Sequence, residues 1–474
     1  MRGAAAVVAG VAVVTGVGAV LVAGQSPDVL VSATAHPRVV AASTVTLSCP
    51  GWPLGRHTET DVVVAIPATG ARTTRAARAH DRAVRIARLS PASQPLGRLT
   101  SRGDSLVTRL ATPSGVVGAG SLAAGVTAVQ WSRSTGDTGS GTAAAACRPP
   151  ADDWWFDGVD TSVRSTSSLV LSNLSTAVAV VDLEFFGPHG TVQQATGRGV
   201  AVAARSSRAL NLARFAPGLD ALTVRVHAAQ GRVVAAVQSL RQETTSPQGI
   251  ESTPAGSAPA TDVYVNAGFA GNTGQRLSIT NPGSREALVQ VQVIDANGQF
   301  VPTTLTDVRI PPGTVVVKEV GLVTRGAQAA LHLTSTVPVT AASATVVRDG
   351  VDDVAVTSSS PPLTDPAVVP IVPGTAVSLA FVSGARTAST VSIDVVDDSG
   401  TSLSERDVPI SGSALSTWVV PERIEAAYVV ITADAAAHLH GVAHYRGKGG
   451  ITALPILSGT YTVTRPVVSP AVAP

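Results

Sequence analysis

At 474 residues the chain is too long for a single hydrophobic core, so three or four domains are expected. Charged residues make up 14% and the net charge is +2, which leaves out the basic excess of a general nucleic-acid binder; no nucleic acid is expected among its partners. The apolar share is 45% but the aromatic share only 3%, so the cores must be built from small aliphatic side chains.

From Ala4 to Gly24 no residue carries a charge, and the run approaches the ~20 residues that cross a bilayer. Arg2 precedes it, which favours an inside N-terminus and an exported remainder. Ala33-Thr34-Ala35 offers a competing signal-peptidase site, but it stands well beyond the end of the apolar run. Residues 1–37 are therefore expected to be a signal anchor, a transmembrane helix and a linker. The protein would be single-pass in the cytoplasmic membrane with its bulk extracytoplasmic. Cys49 and Cys147 form the only cysteine pair, and in an exported chain they predict a disulfide.

Residues 38–150 read as a divergent β unit. Leu47-Ser48-Cys49-Pro50-Gly51 gives a strand and a tight turn, and Cys147 closes the segment. Within it Arg72, Arg75, Arg78, Arg82, Arg85 and Arg88 recur at offsets of three and four. On a helix they would form a cationic stripe suited to an anionic polymer or lipid headgroups, while a solvated insertion is the plainer reading.

Three later segments share one template. Leu169-Val170-Leu171-Ser172-Asn173 recurs as Leu277-Ser278-Ile279-Thr280-Asn281 and as Val377-Ser378-Leu379-Ala380-Phe381-Val382-Ser383. Each is followed by an alternating apolar run (Val181, Leu183, Phe185; Val289, Val291, Val293; Val391, Ile393, Val395) and a turn glycine (Gly190, Gly298, Gly400). Alternation is the period of a half-buried strand, and a constant long period marks repeated units. About seven strands per unit predict an all-β chain of tandem immunoglobulin-like β-sandwich domains at 151–242, 262–356 and 368–457. The same strands also parse as propeller blades, although a single glycine-turned hairpin per unit fits a sandwich better. The Pro/Ser/Thr-rich stretches 243–261 and 357–367 read as linkers, and 458–474 as a Pro-rich tail.

Few residues point to chemistry. Asp153, Trp154 and Trp155 could stack on and hydrogen-bond a sugar, or simply pack where two units join. His438, His440 and His444 have even offsets and would share one face of a regular strand, a weak candidate for zinc; a packed or solvated strand face is the alternative. No well-marked catalytic motif occurs, so no catalytic residues and no cofactor are expected.

The span, Cys-Pro-Gly at Cys49, a second cysteine before a Trp-containing segment, and Leu-x-Leu-x-Asn-Pro units together resemble an uncharacterised actinobacterial family of membrane-anchored cell-envelope proteins. The resemblance runs from about Thr46 to Arg446. Asn281-Pro282 matches the motif fully, whereas Asn173-Leu174 and Ser383-Gly384 depart from it. It implies an envelope address and no assigned activity. The expected function is a non-enzymatic scaffold or binding protein whose partner is an envelope protein or polysaccharide. The alternatives are a carbohydrate-binding accessory of glycan assembly and a metal-dependent hydrolase.

Overall fold

The computed structural model describes residues 38–54, 57–68, 83–90, 94–136, 139–192, 197–242, 247–348, 352–385, 387–422 and 424–465. The segment expected to be the anchor lies outside them, as do Arg72, Arg75, Arg78 and Arg82. Among the described residues no helix is long and apolar enough to cross a membrane. Arg38–Ala41 pairs with Thr462–Arg465 in a two-stranded ribbon. The segment Ala41–Thr462 forms one compact unit of its own.

The chain is nearly all β, and its sheets come in pairs, each pair enclosing one apolar cluster. In the second pair, Asp153–Val159, Leu222–Gln230, Ala179–Gly187 and Gly190–Thr191 lie side by side in that order, and Val200–Val202 also joins Ala179–Gly187. Facing them are Ser206–Asn211, Ser165–Asn173, Val234–Gln242 and Pro247–Thr253. The fourth pair repeats the order with Ala367–Pro370, Tyr428–Ala433, Ser389–Val396 and Ser402–Ile410. Its facing sheet is Ser416–Val419, Thr375–Ser383, Leu439–Gly447 and Gly450–Ile456.

The third pair follows the same order, but one 19-residue strand, Ala330–Arg348, serves both sheets. Its first half pairs with Ala260–Val265 and Ala287–Asp295, its second with Gly274–Asn281 and Asp352–Ser358. The first pair sets Thr44–Cys49, Ser114–Ala119, Val84–Arg88 and Pro95–Leu99 against Ser105–Arg109, Thr58–Ala65, Thr127–Gly136 and Gly139–Ala146. There Cys49 and Cys147 are joined by a disulfide.

The recurring Asn has a specific task. Asn173 Nδ2 donates to the carbonyls of Ala177 (2.7 Å) and Val202 (3.0 Å), while its Oδ1 accepts from the Ser175 amide. Asn281 repeats the clasp on Arg285 (2.7 Å) and Ile310 (3.0 Å), with Oδ1 on the Gly283 amide. Both side chains are fully buried, so the bonds to Val202 and Ile310 satisfy carbonyls in the interior while those to Ala177 and Arg285 hold the turn. In the fourth pair Ser383 reaches Ala437 (3.0 Å) and Thr387 (3.5 Å). In the first, the disulfide cysteine Cys49 holds the position before Pro50-Gly51.

The pairs are not beads on a string. Pro247–Thr253 and Asp352–Ser358 fall in, or begin just before, the stretches expected to be linkers, yet they are integral strands. Together with Gly139–Ala146 and Gly450–Ile456 they pack against one another in cyclic order, one strand from each pair around a common axis. Apolar seams join neighbouring pairs. Trp155 and Phe186 meet Val315, and Phe269 and Ile294 meet Val382 and Leu415. Val396 and Tyr428 meet Ala65, and Ile250 meets Trp52 and Ala143. The fourth pair thus returns to the first, and the array closes into a ring. Closure covers both faces of the axial sheets. This explains why Ser167–Asn173 is buried throughout, while Ala179–Gly187 largely alternates between buried and more exposed positions.

Candidate functional site: axial carboxylates and an open seam

Four strands meeting edge-on around an axis cannot all pair, so some backbone amides need other acceptors. Two carboxylates supply them. Asp353 Oδ2 accepts from the amides of Ile451 (2.8 Å) and Thr142 (3.4 Å), and Oδ1 from that of Val354 (2.9 Å). Glu251 Oε2 accepts from the Val356 amide (3.0 Å), and Oε1 from the Ser252 amide (2.7 Å) and the Thr452 hydroxyl (3.1 Å). Thr452 Oγ1 in turn accepts from the Ala144 amide at 3.1 Å. All four axial strands are tied in this way. Gly249 and Gly450 make room for the arrangement, since a Cβ on either would overlap the Asp353 carboxylate.

Burial pushes the Glu251 carboxyl well above the usual carboxylate range, and the charge of Asp353 adds to the effect. Burial does the same to Asp353, against the pull of its three amides. A third buried acid, Asp157, receives the hydroxyls of Thr223 (2.8 Å), Thr280 (3.0 Å) and Thr340 (2.7 Å) between the second and third pairs. Every oxygen of these three acids is engaged with the protein's own donors, which is the behaviour of a structural node. Their local sequence does not set them apart from other strand acids, such as Asp153 on the strand of Asp157.

The residues singled out from sequence have definite places. Asp153, Trp154 and Trp155 lie together on Asp153–Val159, but both indoles are buried. Trp154 Nε1 donates to the Val233 carbonyl (3.0 Å) and Trp155 Nε1 to Asp153 (2.9 Å). Phe186 stacks on Trp155 at 5.8 Å and the Arg225 guanidinium lies over its ring at 5.1 Å. The rings pack a seam and are not open platforms for a sugar.

Arg85 and Arg88 sit on the strand Val84–Arg88, where alternation places buried Val84 and Ile86 on the opposite face from Arg85. A helical stripe is therefore not formed over these residues.

The three histidines separate. His438 has a positive φ, caps a short helical turn and is exposed. His440 and His444 are buried at the seam between the third and fourth pairs, each with one ring nitrogen 2.8 Å from a carbonyl, that of Ser360 and of Ala267. Burial lowers both imidazoles to about 4. Tyr264 lies between His440 and His332, stacked at 4.5 and 4.1 Å. Among the described residues no group of three or more His, Cys, Asp or Glu is placed to hold a metal.

An open site remains at the closing seam. A cleft of about 1270 Å³ runs between the first and fourth pairs. Its floor is apolar, from Val63, Leu106, Val107, Ile371, Val420 and Leu403, and Asp397, Asp398, Glu422 and Glu425 line it on the fourth pair along with Arg446 and Lys448. Hairpins meet across this seam as they do across the second and third. Gly313 abuts Thr191 at the second seam, and the Leu415 amide donates to the Asp295 carbonyl (2.9 Å) at the third. At the closing seam the two hairpins touch through Gly103 and Gly400, whose φ values are +92° and +89° and where a Cβ on either would strike the other's backbone. Arg102 fixes that turn by donating to the carbonyls of Pro67 (3.0 Å), Ser121 (2.6 Å) and Ala124 (3.1 Å).

With this geometry in place, comparison with known proteins gives one assignment. A model of the family of unknown function DUF5719 matches residues 108–422. The chain belongs to that family. No curated protein matches it. Among solved structures, Thermotoga maritima 1070 aligns at 15% identity over 22% of this chain and 94% of that one, with a TM-score of 0.20. The Streptomyces avermitilis α-L-rhamnosidase complexed with L-rhamnose aligns at 12% identity over 85% of this chain and 57% of that one, with a TM-score of 0.13. Likenesses this low carry no argument about fold or activity. For this DUF5719 chain, function has to be argued from the cleft and the ring.

Proposed function

We propose that this protein is a non-enzymatic, membrane-anchored binding protein of the cell envelope, built from immunoglobulin-like sandwiches. Ala4–Gly24 holds it in the cytoplasmic membrane, and the ring presents its cleft to an envelope partner outside. The observation that carries this reading is the cleft itself, an apolar trough with charged residues around it that stays open at the closing seam although the hairpins there touch at Gly103 and Gly400. Its volume exceeds the ~300–1,000 Å³ typical of small-molecule sites. The disulfide suits an exported address, and the buried acids are committed to the protein's own amide and hydroxyl donors, so they do not supply a free acid–base pair.

Of the two partner classes, a protein is favoured over a polysaccharide, because among the described residues no aromatic side chain lines the cleft and both Trp154 and Trp155 are covered. The test is site-specific photo-crosslinking in intact cells, with the crosslinker placed at Leu403 in the cleft or at Val163, an exposed turn of the second pair. A discrete adduct from Leu403 and none from Val163 is expected. Equal labelling from both positions would contradict the assignment.

A further inference from the structure

The cleft has one wall of unusual character. Among the described residues Ser105–Arg109 is the outermost strand of its sheet and pairs only with Thr58–Ala65, so its other edge is open to a further strand. Edges of this kind are normally guarded by charge. Here the guard covers one end alone: Arg109 is paired with Glu59 (3.3 Å) and Asp61 (3.4 Å), while Ser105, Leu106 and Val107, which line the cleft, carry no charge. Val107 lies opposite Val63 in register, and Val107 is 46% exposed. A strand added beside Ser105–Arg109 would set alternate side chains level with Val107, toward the apolar residues of the fourth pair. Among the described residues, four carboxylates stand against two basic groups around that space.

Resting on the binding-protein reading above, we propose that the cleft takes an extended polypeptide by strand addition to the free edge of Ser105–Val107. The peptide has apolar residues on the face turned into the trough and Lys or Arg on the other. Backbone hydrogen bonds to the edge supply affinity, and the alternating side chains supply selectivity. The carboxylates of Asp397, Asp398, Glu422 and Glu425 stand on the fourth pair's side of the cleft and act on the outward Lys or Arg through their summed field, which favours a basic peptide over an acidic one.

The test uses the purified full chain and an eight-residue peptide of alternating Lys and Val, with binding read by titration calorimetry. Three comparison ligands are used: the same sequence fully N-methylated, an alternating Glu and Val peptide, and a neutral hexasaccharide. Strand addition predicts that N-methylation and the Lys-to-Glu exchange each weaken binding at least about tenfold. Val107→Asp should abolish binding and Val163→Asp leave it unchanged, with equal melting temperatures showing that both variants fold. Binding that survives N-methylation, or that ignores Val107→Asp, overturns the proposal. So does preferential binding of the hexasaccharide, or a dimer in sedimentation that Val107→Asp dissolves. If Leu403 crosslinks a partner in cells while the peptide fails to bind, strand addition falls and the binding-protein reading stands. If neither occurs, both fall.

Discussion

At the scale of single residues, the repeated Asn is visible in sequence as a position but not as a mechanism. The identical offsets of its two clasps, four and 29 residues downstream in both the second and third pairs, show that it ties the turn to a distant strand. Asn281→Ala leaves the buried Ile310 carbonyl without its donor and frees the turn at Arg285, and should cost about 1–3 kcal/mol, read as a lower urea midpoint. Asn281→Ser should cost less, since Ser383 performs part of the task in the fourth pair. The axial carboxylates are not legible, because a buried acid looks like any exposed acid in a strand of mixed composition. Their raised pKa values have a defined consequence. Stability from protonated Glu251 is fully present below its ordinary value of 4.5 and is lost as pH rises from there toward the folded value. Glu251→Gln removes that loss, so the melting temperature of the variant relative to the parent should climb as pH rises above 4.5. His440 and His444 act in the opposite sense in the range from 6.5 down to about 4, but they are present in both proteins and cancel in the difference. A difference independent of pH would refute the assignment.

At the scale of elements, the alternating strands are legible because one face of each is apolar and the period of two survives any packing. Ala287–Asp295 is expected from Ala287, Val289, Val291 and Val293, and all four are buried. Val291→Asp should therefore abolish folding of the third pair, since it buries a charge without a partner. Gln290→Asp, on the exposed face, should be close to neutral; circular dichroism distinguishes the two. Gln292 is a poorer control than the sequence suggests, because its Oε1 lies 3.3 Å from His332 Nδ1. The axial strands resemble linkers in sequence for a physical reason. Pro247–Thr253 holds one large aliphatic residue, Ile250, because its surroundings are backbone amides, carboxylates and glycines rather than a hydrocarbon core. Polar composition signals exposure only when polar groups lack partners in the interior.

At the scale of the whole molecule, tandem order suggests independent domains, whereas the seams and the axis make Ala41–Thr462 one compact unit. Period and parity along the sequence reveal the repeats, but closure depends on contacts between the first and last pairs, such as Ala144 with Thr452, 308 residues apart. The disulfide sits at this junction, with Cys147 lining a small cavity beside Val369 and Tyr445 of the fourth pair. Cys49→Ser with Cys147→Ser should thus lower the unfolding midpoint of the entire unit in a single transition; separate loss of the first pair in calorimetry would speak for independent domains. Ring closure itself is read most directly by amide hydrogen exchange at Thr142, Ala144, Val356 and Ile451. Each of these four amides donates to a side-chain oxygen supplied by another pair. A closed ring predicts protection as deep as that of the core amides of Leu169–Ser172. Exchange at the rate of the exposed edge Ser402–Ile410 would contradict it.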